Sequence, residues 1–180
     1  MSLPDLPFDP SCCLIGGEWH SSASLEKLEL INPSDGNILT EIASGNEDDV
    51  DAALANAKYT FDQCWSTTPA AERGRILHNL GRLILKNKDL LSTLEALDVG
   101  KPFTQAEADV KALARYMEFY GGAADKVHGE TIPYLEGYTV YTLREPHGVT
   151  GHIVPWNYPM QIIGRSVGAA LAMGNTCVLK

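Results

Sequence analysis

An α/β fold with parallel strands near its carboxyl end is predicted by three features of the sequence. Helical periodicity dominates residues 47–122, a segment rich in tyrosine and threonine follows, and residues 148–180 show strand, helix and strand patterns in turn. A strand–helix–strand unit of about 30 residues implies parallel strands joined by a right-handed crossover. That last unit decides the fold class.

Short strands and turns are expected over residues 11–43. Strands are placed at Leu14-Ile15, at 28–31 and at 38–43, while Cys12-Cys13 is placed in a loop. Asp35-Gly36, inside a stretch dense in turn formers, predicts a hairpin between the last two strands.

Four helices are expected next. An acidic first turn at 47–49, interpreted as solvated, opens the first helix, and Thr68-Pro69 has the composition of an N-cap and first residue for the second. Gly100 is expected to close the third helix and Gly121-Gly122 the fourth. The second helix is predicted to bury an apolar face made of Ile76, Leu77, Leu80, Leu83 and Ile84.

Residues 130–146 predict a β-hairpin around Glu136-Gly137. A two-stranded arm is marginal alone, so we expect it to pack on another domain or another subunit. After it, a strand at 148–154, a helix from Pro159 that stops at Gly174, and a strand from Asn175 to Lys180 complete the chain. Gly164 and Gly168, inside that helix, are expected to allow close packing on the sheet.

The carboxyl ends of the two parallel strands predict the binding site, because ligands of such sheets bind there. Asn157 is a candidate oxyanion donor, since prolines on either side stiffen it, and the alternative is a helix N-cap. Trp156 is either a wall for a flat ligand or core, and Lys180 is either a ribose or phosphate donor or a solvated surface residue. Tyr158, Met160 and Gln161 suggest that the entrance to this site is apolar and roomy.

Composition restricts the functions that the chain can have. The 180 residues are 44% hydrophobic and 21% charged, which predicts a packed core. A net charge of −9 argues against binding to nucleic acid or an anionic membrane. No apolar run approaches the roughly 20 residues that span a bilayer, and residues 1–10 lack the pattern of a secretory signal, so a cytoplasmic location is expected.

The cysteines and histidines give little support to a disulfide framework, a metal site or a cysteine hydrolase. The four cysteines are too irregularly spaced for a disulfide framework, and the five histidines lack metal-binding spacing. Cys177 is interpreted as an inert core thiol, and a hydrolase that pairs it with His152 is the weaker alternative.

The segment from Pro146 to Pro159 closely resembles the aldehyde dehydrogenase superfamily. The family pattern is Pro-x-Gly-Val, then Ile-x-Pro-Trp-Asn-x-Pro, then Ala-Leu-x-x-Gly-Asn-x-x-Val-x-Lys, and its last part matches Ala170 to Lys180. Asn32-Pro33 with Gly36, residues 97–102 and residues 128–133 are also similar, so the resemblance runs from about residue 14 to the end.

The resemblance implies a Rossmann-like parallel sheet and a specific chemistry. A cysteine attacks an aldehyde, the asparagine matching Asn157 holds the oxyanion of the thiohemiacetal, a hydride passes to NAD (NADP is possible), and a thioester is then hydrolysed to the carboxylic acid. The resemblance assigns the cofactor cleft to Ile153, Val154, Pro155 and Trp156, and the adenosine ribose or its 2′-phosphate to Lys180.

The resemblance also implies an assembly and a site for a monovalent cation. The 128–147 hairpin matches an arm that joins subunits in a homodimer or homotetramer, and the Leu30 carbonyl with Asp98 matches positions that hold a monovalent cation in some members. The implied division is 1–127 for the amino-terminal strands and helices, 128–147 for the arm and 148–180 for the first part of the cofactor-binding core.

No cysteine of this sequence occupies the motif of the family's nucleophile. We therefore expect the nucleophile and the general base to lie beyond Lys180, with this chain as the amino-terminal part of the enzyme and inactive by itself. The alternative is a non-catalytic oligomerisation or regulatory module of 180 residues.

Overall fold

The computed structural model describes residues 3–180, and within them the chain is an α/β protein of short strand pairs around a helical core. The strands are β1 (Cys12–Ile15), β2 (Glu18–Ser21), β3 (Lys27–Ile31), β4 (Ile38–Ala43), β5 (Thr131–Ile132), β6 (Val140–Tyr141), β7 (Val149–His152) and β8 (Thr176–Leu179); the helices are α1 (Glu47–Gln63), α2 (Ala70–Lys86), α3 (Lys88–Val99), α4 (Phe103–Ala123) and α5 (Pro159–Ala172). No helix among the described residues is long and apolar enough to cross a membrane.

Two antiparallel hairpins form the amino-terminal part. β1 pairs with β2 and β3 with β4. The predicted turn between β3 and β4 is present: Asn32 accepts a hydrogen bond from the Ser34 backbone at 2.9 Å, and Gly36 adopts a φ of 73° that glycine tolerates best. Cys12 and Cys13 belong to β1, so their placement in a loop was wrong.

Helix α1 begins with a capping box. The Asn46 side chain accepts from the Asp49 backbone, and the Asp49 carboxylate accepts from the Asn46 backbone at 2.9 Å. The same carboxylate accepts from the Ala23 backbone at 2.9 Å, which ties the strands to the helix. One of the three acidic residues of this turn is therefore engaged rather than merely solvated.

Several helix boundaries differ from those expected. Pro69 is the N-cap of α2, while the Thr68 hydroxyl donates to the Cys64 carbonyl at 2.9 Å, so Thr68 is not the cap. Gly100 closes α3 with a φ of 76°, as predicted. Helix α4 continues through Gly121 and Gly122 to Ala123, because packing against α2 stabilises the helix beyond the point where its glycines would end it.

Helices α2, α4 and α5 enclose the core. Of the five apolar residues of α2 that were predicted to be buried, two are buried. Leu77 and Ile84 are buried, whereas Ile76, Leu80 and Leu83 are exposed. These helices approach closely where glycines replace side chains: a Cβ on Gly74 would lie 2.5 Å from the Gly121 carbonyl oxygen. The largest fully buried side chains are Leu77, Met117, Val110, Asp109 and Ser92.

The glycines of α5 face a helix rather than the sheet. A Cβ on Gly164 would lie 2.7 Å from the Tyr116 ring, and one on Gly168 would lie 3.2 Å from the Tyr120 ring. Both rings belong to α4. These glycines therefore allow close packing, as predicted, but they pack against α4 and not against the sheet.

The hairpin after α4 is smaller than predicted. Its ladder joins Thr131 to Tyr141 and Ile132 to Val140, and a backbone hydrogen bond from Thr142 to Glu130 at 2.9 Å extends it. The side chains around its turn are exposed, among them Tyr134, Leu135, Tyr138 and Leu143.

The strand–helix–strand unit is present as predicted, with β7 and β8 parallel. Gly174 has a φ of 88°, which lets the chain leave α5 sharply. Asn175 then accepts hydrogen bonds from the His147 and Gly148 backbones at 2.7 and 3.2 Å. This side chain fixes the start of β8 beside the start of β7, so their carboxyl ends also lie together.

Candidate functional site

The carboxyl ends of β7 and β8 lie side by side, where the sequence placed the site. The Lys180 backbone donates to the His152 carbonyl at 2.8 Å, and the Val154 backbone donates to the Lys180 carbonyl at 2.7 Å. Ile153 is 87% exposed and Trp156 81% exposed, so the interpretation of Trp156 as core was wrong. Lys180 is exposed at the same edge.

Asn157 is not the N-cap of α5. The cap position is Tyr158, with Pro159 as the first helical residue. Because the helix begins one residue later than a cap at Asn157 requires, the Asn157 amide forms no hydrogen bond within residues 3–180 and lines an open pocket. A rigid amide with free donors is suited to holding developing negative charge on an oxygen.

The pocket beside Asn157 has a volume of 390 Å³ and is polar, which corrects the expected apolar entrance. Met160, predicted to contribute to that entrance, instead packs against the hydrophobic core. The pocket is lined by Gln105, Pro155, Asn157, Tyr158, Gln161, Ile162 and Arg165.

Arg165 and Gln161, two of the residues that line this pocket, are joined by a hydrogen bond. The Arg165 Nε donates to the Tyr116 hydroxyl at 2.9 Å, and its Nη2 donates to the Gln161 Oε1 at 2.9 Å. The guanidinium carbon lies 5.5 Å from the Tyr116 ring centroid, within the range of a cation–π contact. No role for Arg165 was predicted from the sequence.

A buried charge cluster adjoins the same pocket, and it was not predicted from the sequence. The Lys101 ammonium donates to Glu95 and to Asp109, each at 2.6 Å. It also lies 4.4 Å from the Tyr158 ring centroid. A signal was present: Asp109 occurs at helical spacing within the buried stripe of Ala106, Val110 and Leu113.

The two carboxyl groups of this cluster differ in the direction of their pKa shifts. Burial raises the pKa of Glu95, and the opposing attraction of Lys101 does not cancel this effect. Burial also opposes ionisation of Asp109, but donors from Lys101, Gln161 and Gln105 outweigh it and hold the pKa of Asp109 below its ordinary value. Burial likewise opposes protonation of Lys101, and its bonds to the two carboxylates outweigh this and raise the Lys101 pKa. Asp109 is therefore the main counterion of Lys101.

Leu30 and Asp98, the predicted cation ligands, line one cavity of 310 Å³. The surroundings of the Asp98 carboxyl are largely apolar, and the resulting desolvation raises its pKa although part of the residue is exposed. Residues 3–180 contain no group of three or more His, Cys, Asp or Glu side chains that could hold a metal ion.

Within residues 3–180, Cys177 and His152 both contact the Thr150 hydroxyl. The Thr150 hydroxyl lies 2.9 Å from the His152 Nε2 and 3.5 Å from the Cys177 sulfur. Burial raises the pKa of Cys177, which disfavours the nucleophilic thiolate. This geometry gives no support to the hydrolase alternative and agrees with a structural thiol.

An uncovered pair of parallel strand ends with an unengaged amide beside it is the arrangement at which α/β proteins commonly bind ligands. The chain belongs to the aldehyde dehydrogenase family, whose model matches residues 19–180.

Individual proteins agree with this assignment. The chain is 41% identical to aldehyde dehydrogenase [NAD(P)+] 2 of Saccharomyces cerevisiae over 95% of its own length and 34% of the yeast protein. It matches the crystal structure of a Burkholderia cenocepacia protein described as a candidate aldehyde dehydrogenase, with a TM-score of 0.91 and 57% identity, covering 92% of this chain and 35% of that one.

A third match includes a bound cofactor. The crystal structure of PnpE in complex with nicotinamide adenine dinucleotide matches with a TM-score of 0.91 and 37% identity, covering 95% of this chain and 35% of that chain. Other relatives are named as cytosolic and as mitochondrial enzymes. The chain spans about a third of the length of the curated relatives it matches.

Proposed function

We propose that this chain supplies the oxyanion donor and one wall of the cofactor cleft to an enzyme that oxidises an aldehyde to a carboxylic acid with NAD(P)+. The observation that carries the proposal is the Asn157 amide, which lies in a segment flanked by Pro155 and Pro159, lines a pocket and is not used as a helix cap. The cysteine nucleophile and the general base would come from residues outside this chain, because none of its four cysteines lines that pocket.

The role of Asn157 follows from the charges in the reaction. When sulfur adds to the aldehyde carbon, the carbonyl electron pair moves to oxygen, and the Asn157 N–H groups would donate to that oxyanion. As the C–H electron pair leaves as a hydride, the carbonyl reforms as a thioester, and water then replaces sulfur to release the acid. NAD(P)+ supplies the hydride acceptor when it is bound.

The exposed residues at the strand ends fit such a cofactor. Ile153, Val154, Pro155 and Trp156 present an uncovered edge beside Asn157, and Lys180 adds a positive charge at the neighbouring strand end. A flat ring binds against apolar walls, and a ribose or phosphate binds to a hydrogen-bond donor. This edge offers both kinds of group. In this proposal β7 and β8 begin a larger Rossmann-like sheet, within a core that starts at residue 148 and follows the amino-terminal part, 1–127.

The 128–147 hairpin is proposed as the arm of a homodimer or homotetramer. Its exposed tyrosines and leucines support this assignment, because a two-residue ladder is too short to be stable without further packing. A monovalent cation between the Leu30 carbonyl and Asp98 and a cytoplasmic location complete the proposal. The cation assignment is supported by the position of Leu30 and Asp98 in the lining of one cavity.

The decisive experiment replaces Asn157 in the aldehyde dehydrogenase that contains this segment. Asn157→Ala is expected to lower the rate of hydride transfer by roughly 10²–10³-fold, since an oxyanion donor acts mainly in the transition state. Single-turnover formation of NAD(P)H measures that rate, and cofactor affinity should change little.

Asn79→Ala, which removes an exposed amide on α2 remote from the pocket, is the matched control. Unchanged turnover in Asn157→Ala would reject the oxyanion role. Absence of aldehyde-dependent NAD(P)H formation in the wild-type protein would favour the non-catalytic oligomerisation or regulatory module instead.

A further inference from the structure

Helix α5 begins without a side-chain cap, directly after Asn157. Its N-cap residue, Tyr158, makes no side-chain hydrogen bond to the first turn, and Pro159 follows as the first helical residue. The first backbone N–H groups of a helix have no partner within the helix, and a capping side chain usually stabilises that end. Because Asn157 immediately precedes the N-cap, any loosening of this turn would move its amide. The position of the amide therefore depends on contacts made from outside α5.

The buried cluster around Lys101 contacts this turn at two positions. The Lys101 ammonium lies 4.4 Å from the centroid of the Tyr158 ring, within the range of a cation–π contact. Three residues further along the chain, the Gln161 Nε2 donates to the Asp109 Oδ1 at 2.7 Å. Tyr158 is the N-cap and Gln161 the third helical residue, so both ends of the first turn are held by the cluster.

The cluster itself has little freedom to move. The Lys101 side chain is 9% exposed, and the side chains of Glu95 and Asp109, to which its ammonium is bonded, are fully buried. Displacing a buried ammonium from two carboxylates would leave charges unpaired, which is strongly unfavourable. Lys101 lies in the short connection between α3 and α4, with Glu95 on α3 and Asp109 on α4. A single side chain thus fixes the start of α5 relative to both preceding helices.

A second ion pair joins α3 to α4 and offers a comparison. The Lys88 ammonium, at the start of α3, bonds to Glu107 of α4, and both side chains are partly exposed. Within residues 3–180 its ion-pair partners are Glu107 and the adjacent Asp89, and neither belongs to α5. Lys88 therefore links the same two helices as Lys101 without contacting the turn beside Asn157.

We propose that Lys101 is a positioning residue for the oxyanion donor: through Tyr158 and Gln161 it fixes the start of α5 and so the direction of the Asn157 amide. This role rests on the function proposed above for Asn157. Lys101 is not among the residues that line the pocket, so it acts through α5 and not on the substrate. The effect on rate can be large, because a displacement of about 1 Å at a reacting site can cost roughly 100-fold.

A double-mutant cycle on hydride transfer separates positioning from stability. In the enzyme that contains this segment, Lys101→Met is expected to lower the single-turnover rate of NAD(P)H formation by about 10–100-fold, with little change in cofactor affinity. In an Asn157→Ala background the same substitution should lower the rate by less than about 2-fold, because no donor is left to misplace. Equal fold losses in the two backgrounds would overturn the proposal.

Two further substitutions control for the ion pairs and for the fold. Lys88→Met, which breaks the comparison ion pair, should leave the rate within about 2-fold of wild type. If Lys101→Met fails to fold by circular dichroism, Tyr158→Leu gives the same test, because it removes the ring contact and leaves the ion pairs intact. Its loss of rate should also disappear in the Asn157→Ala background, and Tyr158→Phe, which keeps the ring, should lose less. A loss that persists in that background would contradict the proposal.

NMR relaxation of the 180-residue chain tests the positioning without catalysis. The backbone order parameter of Asn157 is expected to fall from about 0.85 in the wild type to below about 0.6 in Lys101→Met, and to stay unchanged in Lys88→Met. An unchanged value in Lys101→Met would overturn the proposal. If the enzyme oxidises no aldehyde, the proposed function fails, and the order parameter still decides whether Lys101 orders Asn157.

Discussion

Replacing Asp109 by asparagine should destabilise the chain far more than replacing Glu95 by glutamine, although both carboxylates bind Lys101 at the same distance of 2.6 Å. The difference arises from the other partners. Asp109 accepts two further hydrogen bonds, from Gln105 at 3.1 Å and Gln161 at 2.7 Å, whereas one Glu95 oxygen is buried without a partner in the described residues.

The cost of Asp109→Asn follows from the donors around it. An amide has one oxygen, so either Lys101 or the two glutamines would face its NH2 group, and at least one buried donor would lose its acceptor. A lost charge-assisted bond costs about 1.5–3 kcal/mol and an unpaired buried donor about 1–3 kcal/mol. We expect a loss of about 3–5 kcal/mol, as found when one partner of a buried ion pair is removed.

Glu95→Gln should change the stability by less than about 1 kcal/mol, because Lys101 keeps Asp109 as its counterion and a buried charge is removed. Urea unfolding followed by circular dichroism measures both variants, with parallel m-values required. Equal losses of stability in the two variants, or a larger loss in Glu95→Gln, would refute the conclusion that Asp109 is the main counterion of Lys101.

The same reasoning predicts opposite pH dependences. Folding raises the pKa of Glu95, so the cost of its ionised form is absent below the unfolded-state pKa, grows as the pH rises and is complete above the folded-state pKa. Relative to wild type, Glu95→Gln should therefore be more stable at pH 8 than at pH 5. Folding lowers the pKa of Asp109, so its contribution is present above the unfolded value of about 3.9 and is lost as the pH falls through the folded value.

Two further predictions test the packing and the thiols. Gly74→Ala should destabilise the chain by about 1–3 kcal/mol, because its Cβ would lie 2.5 Å from the Gly121 carbonyl oxygen, while Gly122→Ala, with nothing within 4 Å, should stabilise it by up to about 1 kcal/mol. Urea unfolding measures both, and a stabilising Gly74→Ala would contradict the close helix contact. A thiol reagent such as DTNB should label the exposed Cys64 faster than the half-buried Cys177, whose pKa is raised by burial, and faster labelling of Cys177 would reopen the hydrolase interpretation.

The elements that depend on local patterns were predicted well. The parallel strands β7 and β8, the glycine ends of α3 and α5 and the turn at Gly36 all follow from period, composition or backbone conformation within a few residues. The helix boundaries at Thr68 and Gly121 were wrong, because contacts with distant segments decide where a helix stops once its face is packed.

The candidate site was predicted only in part. Its position at the strand ends follows from the order of strand and helix, and the resemblance identified Asn157 and Lys180. The pairing of Arg165 with Gln161 and Tyr116 could not be predicted, because Tyr116 is 49 residues away from Arg165 on another helix. The Lys101 cluster likewise joins α3, α4 and α5.

The sequence by itself determined the α/β class, the candidate edge for ligand binding and the family, since these depend on periodicity, chain order and a contiguous motif. Only the tertiary structure decided what Asn157 and Arg165 are free to do. The N-cap of α5 falls at Tyr158, which leaves the Asn157 amide unengaged, and α4 places uncharged acceptors beside Arg165. Whether a side chain is free to bind a ligand depends on which groups of other helices lie next to it. Those distances between helices cannot be predicted from the residues nearby in the sequence.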